Sequence, residues 1–437
     1  MRRRLYFAAL LLAALLLSGC GMRTVDQMYS LPKRSQEYND LQAAIDRAMD
    51  GLEYCAPLSG ENQQTVQTAD LDGDGTDEYL LFAKGGSQKP MQILIFGQQE
   101  GSYRLREIIE NRGSAFELVE YADMDGQPGL EIVVGRQVSD QVLRSLSVYT
   151  FSGGESEQLM AVGYSKFVSA DLNSDGKTEL MVITPGESEA DNAAASLYTY
   201  RDGSMNRSAE ANLSEPADHI KRIMVSRLQD AAPAVYVASS VEESAIITDV
   251  FALKDGRFTN VSFSSESGTS VQTLRNYYVY ADDIDDDGVL ELPSLIVMGS
   301  KSTSASTHYL IRWFAMALDG LEVDKMYTFH NFDGGWYLQL ENSWAERVTV
   351  TQDGNVYHFS LWDETLRKNE KMMTVFAFTG ADRDAAAVED NRFVLYKADG
   401  VVYAARLEAA SGSCGITRES LIQSFHLIHQ DWKTGET

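Results

Sequence analysis

The chain has few cysteines, few positive charges and no apolar run long enough to cross a membrane comfortably. Three cysteines in 437 residues cannot form a disulfide framework. Lys and Arg number 37 against 64 Asp and Glu, which gives a formal net charge of −27. Nucleic-acid binding and polybasic membrane patches both need clustered Lys and Arg. We therefore expect no nucleic-acid partner and no electrostatic membrane patch.

The N-terminus has the order of segments found in a secreted precursor. Three arginines at positions 2 to 4 precede an apolar run over residues 5–17, and the sequence LSGC follows, ending at Cys20. A run of this length suits a signal peptide. The LSGC segment resembles the lipobox of bacterial lipoproteins, in which the cysteine is lipidated after cleavage. The resemblance implies a signal peptide at residues 1–19, a lipid anchor on Cys20 and the extracytoplasmic face of the cell membrane; the alternative is a signal peptide with an unrelated cysteine.

Two short segments are predicted between this anchor and the main body of the chain. Residues 20–34 have little apolar periodicity and predict a tether. Residues 35–55 predict an amphipathic helix, because apolar residues recur at helical spacing from Tyr38 to Leu52 and Gly51 provides a stop.

A repeated acidic motif organises residues 56–333. Four segments align without gaps, and each opens with Asp, carries Glu eight positions later and continues into an apolar run: Asp70–Glu78, Asp123–Glu131, Asp171–Glu179 and Asp283–Glu291. We call them loops one, two, three and five; the segment around Arg227 keeps the apolar pattern without the acids and is turn four. Alternating runs and Gly turns predict about four antiparallel strands per repeat. Such units bury both faces only by stacking radially or linearly, and radial closure into a β-propeller of about five blades protects the edge strands.

The acidic loops carry the clearest chemistry in the sequence. Acids at positions 1, 3, 5 and 9 with Gly at position 6 can curl oxygen atoms around one hard cation. In loops one, three and five the predicted ligands are Asp70, Asp72, Asp74, Glu78, Asp171, Asn173, Asp175, Glu179, Asp283, Asp285, Asp287 and Glu291. Loop two is weaker, because Gln127 and Pro128 leave only Asp123, Asp125 and Glu131. Structural Ca²⁺ is the expected ion, and the alternative is a set of ordinary Asp/Gly-rich turns.

This loop followed by an apolar strand resembles the FG-GAP/VCBS repeat, which builds calcium-loop β-propellers in integrin α-subunits and bacterial surface proteins. The resemblance covers residues 60–330 and implies that Asp70, Asp72, Asp74, Glu78 and their counterparts are metal ligands. The whole layout is similar to surface lipoproteins of anaerobic Gram-positive bacteria. Members of this family have many different functions, so the resemblance implies architecture more than activity.

The acidic motif stops after Asp333, and residues 334–437 read as about six strands and a last helix from Thr417 to Trp432. Hairpin turns are expected at residues 352–355 and 398–400. A separate α+β domain is the preferred interpretation. The alternative is that these strands form a sixth and a seventh blade.

The sequence contains no G-x-S-x-G elbow, P-loop or dinucleotide fingerprint. His426 and His429 are three apart, which alone is a weak metal signal. We therefore expect a monomeric, non-enzymatic surface module that binds or adheres to an extracellular protein or glycan. The alternatives are an extracytoplasmic glycan hydrolase or lyase and a scaffold for envelope assembly.

Overall fold

The structure is a computed structural model that describes residues 36–85, 91–138, 144–188, 191–241, 245–298, 309–363 and 368–428. The predicted signal peptide, Cys20 and the whole of the predicted tether lie outside these residues. The described part is mainly β, with six antiparallel sheets of four or five strands. None of its helices has both the length and the apolar character that a membrane span requires.

The six sheets follow one another along the chain. Sheet one contains β1 (Leu52–Tyr54), β2 (Val66–Ala69), β3 (Glu78–Gly85), β4 (Met91–Gln99) and β5 (Ser102–Asn111). Sheet two contains β6 (Ala115–Ala122), β7 (Glu131–Gln137), β8 (Arg144–Ser152) and β9 (Glu155–Gly163). Sheet three contains β10 (Lys166–Ala170), β11 (Glu179–Thr184), β12 (Ala194–Arg201) and β13 (Ser204–Asn212).

The later sheets are also antiparallel. Sheet four is a simple meander, whereas sheets five and six each depart from one at their last strands. Sheet four contains β14 (Ile220–Arg227), β15 (Pro233–Val241), β16 (Ala245–Lys254) and β17 (Arg257–Asn260). Sheet five contains β18 (Glu291–Val297), β19 (Tyr309–Met316), β20 (Glu322–Asn331), β21 (Trp336–Leu340) and β27 (Phe425–Leu427). Sheet six contains β22 (Val348–Asp353), β23 (Val356–Asp363), β24 (Lys368–Thr379), β25 (Phe393–Ala398) and β26 (Val401–Leu407).

Three helices accompany the sheets: α1 (Gln36–Ala48), α2 (Arg383–Ala386) and α3 (Arg418–Gln423). Helix α1 buries Leu41, Ala44 and Ile45 against residues of β3 and β4. The predicted helix is therefore present, but it ends at Ala48. Gly51 turns the chain with a φ of 75°, and Leu52 then begins β1, which pairs with β3.

The hydrophobic core is divided among neighbouring sheets. One cluster joins sheets one and two, and others join two to three, three to four, four to five, and five to six. Each of sheets two to five thus buries apolar residues against both the sheet before it and the sheet after it, as the repeat pattern predicts. Among the described residues, no core cluster joins sheet six to sheet one, so closure into a ring stays a prediction.

The C-terminal residues differ from the expected layout in two respects. Strand β21 pairs with β20, so the domain boundary predicted after Asp333 falls within sheet five. The predicted last helix begins as expected, with a capping box between Thr417 and Ser420, but α3 ends at Gln423. Strand β27 follows and pairs with β21, because Phe425 packs in the core on Trp336 with ring centroids 5.3 Å apart. The predicted six strands and both hairpin turns are present.

A buried carboxylate on sheet four binds the segment that follows the last strand of sheet three. Asp249 on β16 is fully buried and accepts hydrogen bonds from the Ser214 backbone N–H at 2.8 Å and the Ser214 hydroxyl at 2.6 Å. The Ser270 hydroxyl and the Asn260 side-chain amide donate to it at 2.6 and 2.8 Å. Four neutral donors therefore satisfy this carboxylate without a positive charge.

Candidate metal centres

Loops one, two and three each connect two consecutive strands of one sheet. Loop one joins β2 to β3, loop two joins β6 to β7, and loop three joins β10 to β11. Loop five precedes β18, where an isolated bridge between Asp282 and Glu291 takes the place of a first strand. The position-9 glutamate is therefore always the first residue of the strand that follows its loop, and the position-1 aspartate follows the strand or bridge before it.

The position-9 glutamates are buried and hold their loops closed. Their exposed fractions are 3%, 3%, 3% and 0% for Glu78, Glu131, Glu179 and Glu291. In each loop the carboxylate Oε2 accepts the backbone N–H of position 2. The distances to Leu71, Met124, Leu172 and Ile284 are 3.0, 2.8, 2.9 and 3.1 Å. One oxygen of each carboxylate thus braces the backbone of its loop.

The position-1 aspartates shape the same turn from the other side. Asp70 accepts the N–H groups of Gly73 and Gly75, and Asp283 accepts those of Asp287 and Gly288. These bonds require the chain to reverse sharply. The position-6 glycines of loops one, three and five have φ values of 84°, 87° and 83° and confirm the predicted bend.

Position 4 is a feature of the loops that the sequence analysis missed. It also lies in the left-handed region, with φ values of 73°, 76°, 62° and 59° at Gly73, Gly126, Ser174 and Asp286. Only two of the four are glycine, so the sequence gives an incomplete signal. Serine and aspartate there hold a conformation that L side chains rarely adopt.

Three groups of acids converge within the described residues. Carboxylate oxygens within 4.8 Å of one another come from positions 1, 3 and 9 of loops one, two and five: Asp70, Asp72 and Glu78; Asp123, Asp125 and Glu131; Asp283, Asp285 and Glu291. Each group could hold a metal ion. The position-5 acids Asp74 and Asp287 are not part of these groups, although each accepts a backbone N–H two residues later.

Loop three differs because position 3 is Asn173. Its side-chain amide donates to Glu179 Oε1 at 2.7 Å, while its carbonyl oxygen accepts the Asp175 backbone N–H at 2.7 Å. The amide therefore gives Glu179 Oε1 a hydrogen-bond partner from within its own loop. Asp175 also lies 3.6 Å from the Lys177 ammonium.

The chemistry of the donor sets fits a hard divalent cation. All convergent atoms are carboxylate oxygens, which Ca²⁺ and Mg²⁺ prefer. In loop five the fit has a further sign: Glu291 Oε1 is fully buried and has no hydrogen-bond partner among the described residues. Buried carboxylate oxygens are normally paired, and a bound cation beside Asp283 and Asp285 would satisfy this one.

The raised pKa values of the position-9 glutamates also favour a bound cation. Burial and then the neighbouring aspartates raise the pKa of Glu78 to about 7. Burial and then Asp285 raise the pKa of Glu291 to about 8. Burial also raises the pKa values of Glu131 and Glu179. These carboxylates are unfavourable as bare anions, and a cation would restore the charged form.

Loop five has a lysine partner that the sequence analysis did not find. Lys325 on β20 places its ammonium 2.5 Å from Asp287 Oδ2, and its side chain is only 15% exposed. This hydrogen bond lowers the pKa of Asp287 and raises that of Lys325. Lys325 also lines a cavity of about 370 Å³ formed with β21, α3 and Trp344. The pairing comes from a strand in another part of the repeat, so no local motif signals it.

The histidines show no cluster in the described residues. His330 is buried and stacks on Tyr337 with ring centroids 4.9 Å apart, and burial lowers its pKa to about 3. His426 on β27 stacks on the same tyrosine, with ring centroids 5.0 Å apart. These contacts are packing contacts. His429 lies outside the described residues.

No family model and no curated protein matches the chain. Similar solved structures include the exotype rhamnogalacturonan lyase YesX, at 13% identity and a TM-score of 0.33, with coverage of 74% of this chain and 56% of that one. A rhamnogalacturonan lyase of Bacillus licheniformis has 14% identity and a TM-score of 0.31, with coverage of 70% and 52%. TolB from Acinetobacter baumannii has 11% identity and a TM-score of 0.24, with coverage of 77% and 69%.

The chain spans little more than half the length of the two lyases. Likenesses of this size carry no argument about activity. The FG-GAP/VCBS resemblance and the lipoprotein assignment stay predictions.

The raised pKa values predict how the metal-free protein responds to pH. Glu78 and Glu291 have folded-state pKa values of about 7 and 8 against 4.5 in a free side chain. Their contribution to stability is therefore fully present below pH 4.5 and is lost as the pH rises through 7 and 8. In EDTA-treated protein we expect Tm to be about 5 °C higher at pH 5.5 than at pH 8.5. Calorimetry measures this, and the Glu78→Gln/Glu291→Gln double variant should flatten the profile; an unchanged slope would contradict the assignment.

Lys325 predicts a measurable competition at loop five. Because its ammonium neutralises Asp287, we expect Lys325→Met to tighten divalent-ion binding at that loop roughly threefold. Calcium titration calorimetry compares the variant with Lys368→Met, which removes an exposed ammonium 2.8 Å from Glu370. In a Glu291→Gln background the Lys325→Met effect should vanish. An equal effect there would mean that Lys325 acts elsewhere.

Proposed function

We propose that the protein is an extracytoplasmic binding module whose sheets are stiffened by structural Ca²⁺ in loops one, two, three and five. The observation that supports this most directly is the buried, unpartnered Glu291 Oε1 beside Asp283 and Asp285. The same backbone geometry recurs at loops one, two and three, where Glu78, Glu131 and Glu179 accept the position-2 N–H. Loop three is the weakest of these sites, because Asn173 replaces an acid.

Calcium is the ion that suits these loops best. It accepts six to eight oxygen ligands in flexible arrangements, whereas Mg²⁺ demands a strict octahedron and keeps several waters. In loops one, two and five, carboxylate oxygens at positions 1, 3 and 9 lie within 4.8 Å of one another. Calcium is also plentiful outside the cytoplasm, where the lipobox resemblance would place the chain. The ligands proposed are the acids of the loops together with Asn173.

The lipobox at Cys20 supports a protein that is tethered by acyl chains to the outer face of the cell membrane. The repeat pattern and the shared cores of successive sheets support a β-propeller that presents loops to a protein or a polysaccharide. The acidic charge of −27 argues against nucleic acid as that partner. We propose that a monomer carries out this role. A scaffold for envelope assembly would use the same anchor and surface.

A glycan lyase or hydrolase is the second candidate. It is favoured by the cavity beside loop five, where Lys325 stands next to acids that could hold a metal ion. Elimination on a uronic acid needs a base that removes the proton next to the carboxylate. Asp287 raises the pKa of Lys325, so this amine stays protonated at neutral pH and is a poor base. The names of the two compared lyases add no support at TM-scores of 0.33 and 0.31.

Calcium dependence tests the first proposal. Removing the ions with EDTA at pH 7.5 should lower Tm by about 5–10 °C, because binding to the folded state alone stabilises it by mass action. Glu291→Gln keeps the shape of the side chain and removes its charge, so part of the calcium-dependent rise in Tm should be lost. The same variant should be no less stable than wild type in EDTA.

The matched control is Glu53→Gln, an exposed acid on β1 that should leave the calcium response unchanged, because β1 pairs with the end of β3 farthest from loop one. Magnesium at the same concentration should restore less of the Tm than calcium. A wild-type Tm that is the same with EDTA and with calcium would rule out structural ions.

Turnover assays separate the two candidates. We expect no rise in the ultraviolet absorbance of unsaturated sugars when the calcium-loaded protein is mixed with acidic polysaccharides, because the Lys325 amine in the cavity stays protonated beside Asp287. A rate that Lys325→Met abolishes and Lys368→Met preserves would instead establish the lyase.

A further inference from the structure

Loops one, two and three are joined to one another through their backbones. The Leu130 N–H of loop two donates to the Asp70 carbonyl of loop one at 3.1 Å. The Thr178 N–H of loop three donates to the Asp123 carbonyl of loop two at 2.7 Å. In both cases position 8 of one loop bonds position 1 of the loop before it. The same connection therefore occurs twice in succession.

Each of these bonds joins a predicted ligand of one loop to the residue that directly precedes a predicted ligand of the next loop. Asp70 and Asp123 contribute a side chain to their own acid group while their main-chain carbonyls receive the neighbouring loop. Leu130 and Thr178 directly precede the position-9 residues Glu131 and Glu179. A displacement of either end therefore moves a ligand of two loops at once.

Close packing reinforces the contact between loops one and two. A Cβ atom on Gly129 would lie 2.4 Å from the Leu71 carbonyl oxygen, and one on Gly73 would lie 2.3 Å from Pro128 Cβ. Only glycine fits at these two positions, so the two backbones touch. Gly126 of loop two similarly faces the Lys177 side chain of loop three, with 3.0 Å from its ideal Cβ to Cδ.

Loop five has no such acidic neighbour in sequence order. Turn four, between Arg227 and Pro233, lies between loop three and loop five in the sequence. Among the described residues it holds no cluster of three acids that could bind a metal ion. The contacts of turn four run to sheet five through backbone and side-chain bonds, including Gln229 N–H to the Met316 carbonyl at 2.9 Å. Loop five is thus an internal reference for the other three.

We infer that loops one, two and three bind divalent cations as one linked array, with loop two as its centre, and that loop five binds independently. The inference rests on the proposed function. An ion that orders one loop fixes the carbonyl or N–H that its neighbour needs, so the neighbour loses less conformational entropy when it binds its own ion. The coupling is reciprocal, and each ion raises the affinity of the adjacent loops by the same factor.

Hydrogen exchange measured loop by loop tests this inference. Peptides covering residues 70–78, 123–131, 171–179 and 283–291 are followed by mass spectrometry as calcium is titrated into the full-length protein. In Glu131→Gln, which removes a ligand of loop two only, the protection midpoints of loops one and three should move to about fivefold higher calcium. The midpoint of loop five should stay within twofold of wild type.

Two further variants make the result specific. Glu291→Gln should abolish protection of loop five and leave the midpoints of loops one, two and three unchanged. Asp125→Asn removes a different ligand of loop two and should reproduce the Glu131→Gln pattern. A far-ultraviolet circular dichroism spectrum like that of wild type in saturating calcium confirms that each variant is folded.

The outcomes are distinguishable. Absence of calcium-dependent protection in every loop of the wild type would overturn the proposed function itself. Calcium-dependent protection with unchanged midpoints of loops one and three in both loop-two variants would overturn only the array. A shift of all loops together, loop five included, would also overturn it, because that pattern reports general destabilisation.

Discussion

The burial of a glutamate at the start of the strand that follows each acidic loop is the constraint on which sheets one, two, three and five depend. Glu78, Glu131 and Glu179 close their loops by accepting a position-2 N–H, and Glu291 does the same. The bond requires the carboxylate to leave water and to lie beside aspartates, which raises its pKa. A hard cation in the loop resolves this conflict, because it keeps the carboxylate charged and offsets the repulsion.

Sheets four and six show that the strands themselves do not need an ion. Sheet six turns from β22 to β23 through Gly354 and Asn355, and sheet four buries Asp249 among neutral donors from Ser214, Ser270 and Asn260. Asp249 and Glu291 are both fully buried carboxylates, but one is satisfied by hydroxyl and amide groups and the other retains an unpartnered oxygen. The acidic loops are therefore a second way to bury charge, and the ions that we propose for them would make the stability of the fold depend on the cation concentration.

The sequence predicted local features well because their causes are local. The in-register Asp and Glu positions located four loops, and alternating apolar residues located the strands that they join. The pairing of β27 with β21 was not predictable, since a short apolar segment after α3 reads equally as helix and only its contact with Trp336 decides. Lys325 was missed for the same reason: it reaches Asp287 from a distant strand. Backbone bonds such as Leu130 to Asp70 involve no side-chain pattern at all.

The contacts of loop two with loop one explain why loop two departs from the acidic motif. By sequence it is degraded, with Gln127 and Pro128 at positions 5 and 6, yet its acids converge as closely as those of loops one and five. The convergent acids come from positions 1, 3 and 9, so the loss of an acid at position 5 leaves the group intact. Pro128 instead packs against Gly73 of loop one. The substitution thus removes a peripheral acid and gains a contact between loops, which is the arrangement that a central member of an array requires.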